Sequence, residues 1–251
     1  MNEEETLKKR FEELARRSYE RGIFENTGFL TPQEQNLFLS VKAQLPPVNA
    51  RLYSPSPAGI RKIAVFGSEE ELGYAWEDPV KVIHIAPRSE KFGEELTHRD
   101  YLGSVLALGI NRDLTGDIII RQNHAWIFAL YSIVPFICEN LLQVRHTPVF
   151  CTEAKEDVPE LAPRFEVIHE NISSERSDLL IACIAGCSRE NAKKLIAQEK
   201  VFVNGRLLLS VSHRLNEGDE IVVRGFGKYI YDGITSRTRK DRLNISLRKY
   251  I

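Results

Sequence analysis

Apolar residues recur along the chain with two different periods, and the changes of period divide it into three stretches. Near the start, Leu7, Phe11, Leu14 and Ser18 fall at helical spacing within residues 3–20, one face of an amphipathic helix. Thr31-Pro32-Gln33-Glu34 has the form of a capping box with proline at the first helical position, so a helix opens there and ends before Pro46-Pro47. Between 48 and 79 only Lys62–Phe66 reads as a strand among proline and glycine punctuation. Residues 1–78 therefore predict a small α-rich unit.

From Val80 the pattern changes. Val80–Ala86 is apolar and strand-like, and Thr97 stands where it can cap a helix from His98 to Gly109, with Leu102, Leu106 and Gly109 inward. Asp117–Arg121 and Ala125–Leu130 read as two strands around the turn Gln122-Asn123-His124. A helix over Ile133–Leu142 and a strand over Thr147–Cys151 follow. The order βαββαβ over residues 79–165 is that of ferredoxin-like and RNA-recognition folds. Residues 153–171 are acidic and contain Pro159 and Pro163, so they predict a linker with one short strand, Glu166–His169.

The last stretch, 170–251, has the sharpest signals. Ser174 is placed to cap a short helix over Asp178–Ala185, closed by Gly186 in a left-handed conformation. Ser188 caps a second helix, Arg189–Gln198. Val201–Val203 and Leu207–Leu209 flank Asn204-Gly205, a type I′ hairpin signal. Glu217-Gly218-Asp219 makes a turn before the strand Glu220–Arg224, with Ile221 and Val223 facing one way. The fold class is α+β, in three units.

Composition excludes more than it selects. No apolar run approaches the ~20 residues of a membrane span, and the charged N-terminus lacks a signal peptide's apolar core, so the expected location is the cytoplasm. Cys138, Cys151, Cys183 and Cys187 form no C-x-x-C pair and the six histidines no H-x-x-x-H pair; neither a metal nor another cofactor is expected, and the cysteines read as small core residues. Net charge is −1, but it is unevenly placed. From Glu170 onward 15 basic residues face 10 acidic ones, a balance of +5 against −6 for the rest. A basic end on an acidic body points to a polyanionic partner.

The helix after Ser188 sharpens that expectation. Ala192, Leu195 and Ile196 make its buried stripe, whereas Arg189 and Lys193 lie four apart on the other side. Such a like-charge pair costs an isolated helix about 0.2–0.5 kcal/mol, and a phosphate backbone would offset it. The helix N-terminus at Ser188 adds free N–H groups and partial positive charge. Arg176, Lys194, Lys200, Asn204, Arg206, Arg224 and Lys228 complete the candidate RNA-binding set. Arg99 and Arg112, flanking the first helix of the middle stretch, are secondary candidates for RNA or partner contact. Trp126 and Phe128 share a strand face and serve either base stacking or core packing. The K/R-G-F/Y-G/A-F pattern of a true recognition motif is missing, which favours packing.

Arg176-Ser177-Asp178, Ser188-Arg189, Lys194-Leu195-Ile196, Val201-Phe202-Val203-Asn204-Gly205, Glu217-Gly218-Asp219-Glu220-Ile221 and Arg224-Gly225 resemble, in order, the S4 domain signature. That resemblance implies two helices and a small sheet that bind structured RNA. Ser177 stands where the family has leucine and Glu199 where it has glycine, the latter setting an acid near the expected RNA face. Phe29-Leu30-Thr31-Pro32-Gln33-Glu34-Gln35, His98-Arg99-Asp100-Tyr101-Leu102-Gly103, Gly109-Ile110, Gly116-Asp117-Ile118 and Arg224-Gly225-Phe226-Gly227-Lys228 are similar to the bacterial YlmH family. That resemblance implies an N-terminal unit, an RNA-recognition-like middle domain and a C-terminal S4 domain. It also implies a role in ribosome-associated quality control, on large ribosomal subunits holding a stranded peptidyl-tRNA. The expected partners are thus the large subunit, its 23S rRNA and tRNA, with the protein itself a monomer. A cell-division role, and a photosystem-associated S4 group of the same layout, are the neighbouring readings.

Several fragments imitate catalysts. His98-Arg99-Asp100 has the form of a kinase catalytic loop, but Val105 stands where that loop needs a metal-binding asparagine. Arg112-Asp113-Leu114-Thr115-Gly116 approaches the aspartate motif of S4-bearing pseudouridine synthases, with one residue rather than two between Asp and Thr. G-x-G-x-x-G and P-loop motifs are missing. With no coherent acid, base or nucleophile set, the expectation is a non-catalytic RNA-binding protein, and the alternative is an RNA-modifying enzyme of the pseudouridine synthase type.

Overall fold

The computed structural model describes residues 3–89, 94–154 and 161–251. They pack as two compact units, residues 1–31 with 41–162 and residues 32–40 with 163–251. Where the sequence predicts three units, the first two share one body and a helix from the first joins the last. Residues 155–160 of the expected linker lie outside the described residues.

In the first unit, α1 (Glu3–Arg21) buries Phe11, Leu14, Ala15 and Ser18, the predicted stripe. β1 (Glu25–Asn26) is followed by α2 (Pro32–Val41), the helix that joins the second unit, and by β2 (Ala50–Tyr53) and β3 (Ile63–Phe66). These strands form an antiparallel sheet in the order β1-β3-β2, so the N-terminal stretch is not simply α-rich. β2 escaped the pattern because it is short and only its first residue is buried. A short helix, α3 (Glu69–Leu72), is capped by Ser68.

β4 (Val80–Pro87), α4 (His98–Leu106), β5 (Thr115–Arg121), β6 (His124–Leu130), α5 (Val134–Asn140), β7 (Gln143–Val144) and β8 (Thr147–Glu153) follow. The antiparallel order β5-β6-β4-β8-β7 is the ferredoxin-like arrangement, with β7 as an added edge. One sheet face, with Ile83, Ile85 and Ile127, is covered by Tyr101 and Val105 of α4 and Ile137 of α5. The other packs Val80 and Phe128 against Phe29, Ile63 and Val65. Close backbone approach tightens this junction: a Cβ on Gly116 would meet the Phe29 ring at 2.6 Å, and one on Gly28 the Asp113 carbonyl oxygen at 2.8 Å. Asp117 accepts the N–H groups of Ile60 and Arg61 at 2.8 and 2.9 Å.

The second unit contains β9 (Phe165–Ile172), α6 (Ser177–Ile184), α7 (Arg189–Ala197), β10 (Val201–Val203), β11 (Arg206–Leu207), β12 (Glu220–Val223), β13 (Gly227–Arg237) and β14 (Leu243–Tyr250). The predicted linker strand and C-terminal extension are here full strands of one sheet, ordered β11-β10-β12-β13-β14-β9. Leu180, Ile181 and Ile184 of α6 and Ala192 and Ile196 of α7 share a core with Val201, Ile221, Val223, Tyr231, Ile245 and Leu247. α2 lies along the hairpin edge of that sheet. Asn36 Oδ1 accepts the Leu207 N–H at 2.9 Å, Gln33 Oε1 accepts from Arg224 Nη1 at 2.9 Å, and Leu39 abuts Gly205. Gln33 to Leu39 spans about 9 Å of helix, matching the ~10 Å of a three-residue strand.

Both helix ends close alike. After α6, Gly186 (φ 56°) donates to Cys183 O and Cys187 to Ala182 O, a Schellman pair. After α7, Glu199 (φ 55°) donates to Ile196 O and Lys200 to Leu195 O. Asn204 (φ 50°) and Gly205 (φ 76°) form the type I′ turn. Ser174 is not a cap, because α6 begins three residues later with Arg176 at the N-cap and no side-chain cap bond. Among the described residues no helix is long and apolar enough to cross a membrane.

Glu199 occupies a left-handed position that costs an L-residue about 1–2 kcal/mol, partly offset by the chain entropy glycine would bring. Glu199→Gly is expected to raise the unfolding free energy of the second unit by about 0.5–1 kcal/mol, read as a higher urea midpoint at unchanged m-value.

Candidate nucleic-acid interface

α6 starts with a polar segment pulled inward. Ser177 is fully buried, its Oγ within 3.1 Å of Ser210 O and 2.9 Å of His213 O. The hydroxyl thus anchors the loop after β11 through bonds that a leucine could not make. Next to it Asp178 is completely buried. Its carboxylate accepts from Arg176 Nε and Nη2, both at 3.2 Å, and from Arg189 Nε at 2.8 Å. Burial pushes the Asp178 pKa up, but the two guanidinium hydrogen bonds and charges outweigh it and hold the acid below its ordinary value.

This fork revises the reading of α7. Arg189 does not repel Lys193; it turns to Asp178, while Lys193 reaches Glu190 at 3.4 Å. Arg176 and Arg189 keep 38% and 48% of their side-chain surface, so each holds the carboxylate with its inner edge and faces solvent with its outer edge. The fork sets two planar donors side by side at the starts of α6 and α7. Ser188 caps α7 by accepting from Asn191 N at 3.3 Å.

Other candidates divide sharply. Lys194 and Arg206 are exposed, Lys200 is half-buried, and these three show no ion pair among the described residues. Arg224 is exposed and adjoins Lys200, whose carbonyl accepts its N–H at 2.9 Å. Asn204 plays a structural part, since its side chain donates to Asp219 and accepts from Glu220 N, holding the turn. Lys228 corrects the expectation most clearly. It is 4% exposed, its Nζ lies 2.9 Å from Glu220 and 5.0 Å from the Tyr250 ring, and so it presents no cation to a ligand.

The secondary candidates also separate. Arg99 is exposed on α4, whereas Arg112 points into its own turn. Its guanidinium donates to Thr115 O, to Thr115 Oγ1 at 3.0 Å and to Gly116 O at 3.1 Å, and burial brings its pKa down to about 10. Phe128 and Trp126 are 3% and 6% exposed; Trp126 stacks on His84 at 4.9 Å, so packing accounts for both. Cys183 and Cys187 pack against the second unit's core and Cys138 and Cys151 against the first's, as small core residues do. Sequence reasoning named Arg176 and Arg189 but missed Asp178 as their common anchor; its signal was an acid two residues into an otherwise apolar helix.

Arg189→Glu would set a second carboxylate against buried Asp178, with an expected loss on the order of 2 kcal/mol in thermal or denaturant unfolding, whereas Arg189→Lys retains part of the pair. Because the folded-state pKa of Asp178 is depressed, its contribution is present above the ordinary carboxylate value and falls away as pH drops below it. Asp178→Asn should flatten that acid limb of the stability profile.

Residues 79–157 match the family model described as "Putative RNA-binding domain in YlmH", and residues 185–221 match the S4 domain model. The "Ribosome-associated protein quality control protein P2" of Bacillus subtilis (strain 168) is 25% identical over 226 residues, covering 89% of this chain and 86% of that protein. The solved structure of "Cell division protein ylmH from Streptococcus pneumoniae" superposes with a TM-score of 0.48 at 21% identity, over 62% of this chain and 93% of that one. The chain thus carries, in order, a match to the RNA-binding domain described in YlmH and a match to the S4 domain, which give it an RNA-binding role.

Proposed function

We propose that this protein is a non-catalytic factor that grips structured RNA through its S4 unit and acts on the large ribosomal subunit, at 23S rRNA and tRNA, in quality control of stalled peptidyl-tRNA. The observation that carries the reading is the Asp178 fork. Two guanidinium groups are oriented before any ligand arrives, each with an outer edge able to donate to phosphate. Lys194, Lys200, Arg206 and Arg224 supply additional positive charge on the same unit, and Arg99 is a further contact on the first unit. The ribosomal assignment draws support from the name of the Bacillus subtilis relative, a ribosome-associated quality control protein.

The alternative, RNA modification, would need the Arg112-Asp113-Leu114-Thr115-Gly116 segment to act on a base. Arg112 is instead tied to its own turn and Asp113 O accepts the Phe29 N–H at 2.6 Å, which supports a packing role for that motif. Pseudouridine formation on total RNA is expected to be unaffected by the purified protein.

In a sucrose gradient of lysate the protein is expected to sediment with free large subunits. Recovery only at the top, even at low salt, would remove the ribosomal reading. In the full chain, Lys194→Glu with Lys200→Glu and Arg206→Glu should weaken binding to structured RNA at least roughly tenfold at ~0.1 M salt. It should also lower the slope of log affinity against log salt by about 2–3, with the unfolding midpoint nearly unchanged. Unaltered affinity would show that this face is not the RNA contact.

A further inference from the structure

The basic excess of the C-terminal third is only partly located on the S4 helices. Lys228 is committed to Glu220, Arg248 to Asp232 and Lys193 to Glu190, while Arg176 and Arg189 give their inner edges to Asp178 and keep their outer edges in solvent. A second concentration lies at the tip of the β13–β14 hairpin, where Arg237, Arg239, Lys240 and Arg242 fall within six residues containing one acid, Asp241. All four are exposed. Arg237 pairs with Asp241 at 3.1 Å and Arg242 donates to Asn171 O at 2.7 Å. Arg239 and Lys240 show no side-chain bond among the described residues.

The turn itself does not require those cations. Thr238 N donates to Arg242 O at 2.8 Å, Asp241 N to Thr238 O at 3.0 Å, and Arg242 N to Thr238 Oγ1 at 3.0 Å. Asp241 takes the left-handed position, φ 56°. A backbone-closed turn holding mutually repelling cations is a poor choice for stability alone and a good one for a polyanion.

The arm is also set apart from the S4 motif. β12 pairs with β13 only over Gly227–Ile230, whereas β14 pairs with it as far as Arg237. Two register shifts, between Tyr231 and Gly233 and between Ile234 and Ser236, interrupt the ladder where β13 has left β12. Such bulges bend a strand and increase its twist. Beside the arm lies an open cleft lined by His169, Glu170, Asn171, Thr235, Ser236 and Asn244. That polar lining suits ribose hydroxyls and base edges better than an apolar ligand.

We propose that the β13–β14 hairpin is a second RNA-binding arm, outside the stretch matched by the S4 model, which holds the phosphate backbone through Arg239 and Lys240 with Arg237 and Arg242 beside them. This rests on the RNA-binding reading given above. It extends the contact from the helical face, around Arg189 and Lys194, to a separate structural element of the same unit.

The test uses the full chain and purified large-subunit ribosomal RNA. Arg239→Glu with Lys240→Glu should weaken binding roughly tenfold at ~0.1 M salt and reduce the salt slope by about 2, at unchanged thermal unfolding. Lys8→Glu with Arg21→Glu on α1 makes the same change in net charge and should leave affinity within about twofold. Loss of affinity in the Lys194, Lys200 and Arg206 variant but not in the hairpin variant would overturn the arm and keep the S4 reading. Equal losses in the hairpin and α1 variants would assign the effect to overall charge and also overturn it. No salt-dependent binding by the unaltered protein would remove both readings.

Discussion

A buried carboxylate cannot stand alone. Taking Asp178 out of water costs several kcal/mol unless partners replace its hydration, and the start of α6 is organised around meeting that demand. Arg176 approaches from two residues earlier in the chain and Arg189 from the next helix, so one charge ties the start of α7 to the start of α6. The same two arginines keep part of their side-chain surface exposed to solvent. The interaction that fixes the orientation of their guanidinium groups is the one that keeps the acid charged inside the protein.

Around that centre the S4 motif is only part of the unit. Strands β9, β13 and β14 extend a small sheet to six strands and supply Ile172, Tyr231, Ile245 and Leu247 to its core. The opposite edge ends in the two-residue strand β11, which would present unpaired N–H and C=O groups. α2 lies along it and gives the Leu207 N–H an acceptor in Asn36. An edge otherwise open to foreign strands is thus covered by a segment from the same chain.

The sequence was most legible where backbone chemistry is local. The type I′ turn at Asn204-Gly205, the left-handed closure at Gly186, the cap at Ser188 and the order of the middle strands all follow from residue type and spacing. It was least legible where the reason lies across the fold. Lys228 and Arg224 look alike in sequence, yet one is enclosed by Glu220 and Tyr250 and the other is exposed beside Gln33. The pairing of β9 with β14 joins segments whose patterns read separately as a linker and a tail. Gly116-Asp117-Ile118 reads in sequence as part of a family resemblance, whereas in space Gly116 and Asp117 hold the N-terminal segment against the middle sheet.

The position of α2 has a consequence for how the protein comes into being. Asn36 and Leu207 are 171 residues apart, so the edge contact cannot form until the chain has been synthesised past Leu207. At roughly 5–20 residues per second, α2 waits about 10–30 s for the strand it covers. The intervening segment meanwhile contains a nearly complete first unit that can fold on its own schedule. The contact joins α2 to the β10–β11 hairpin across a very long sequence separation, the kind that slows folding most.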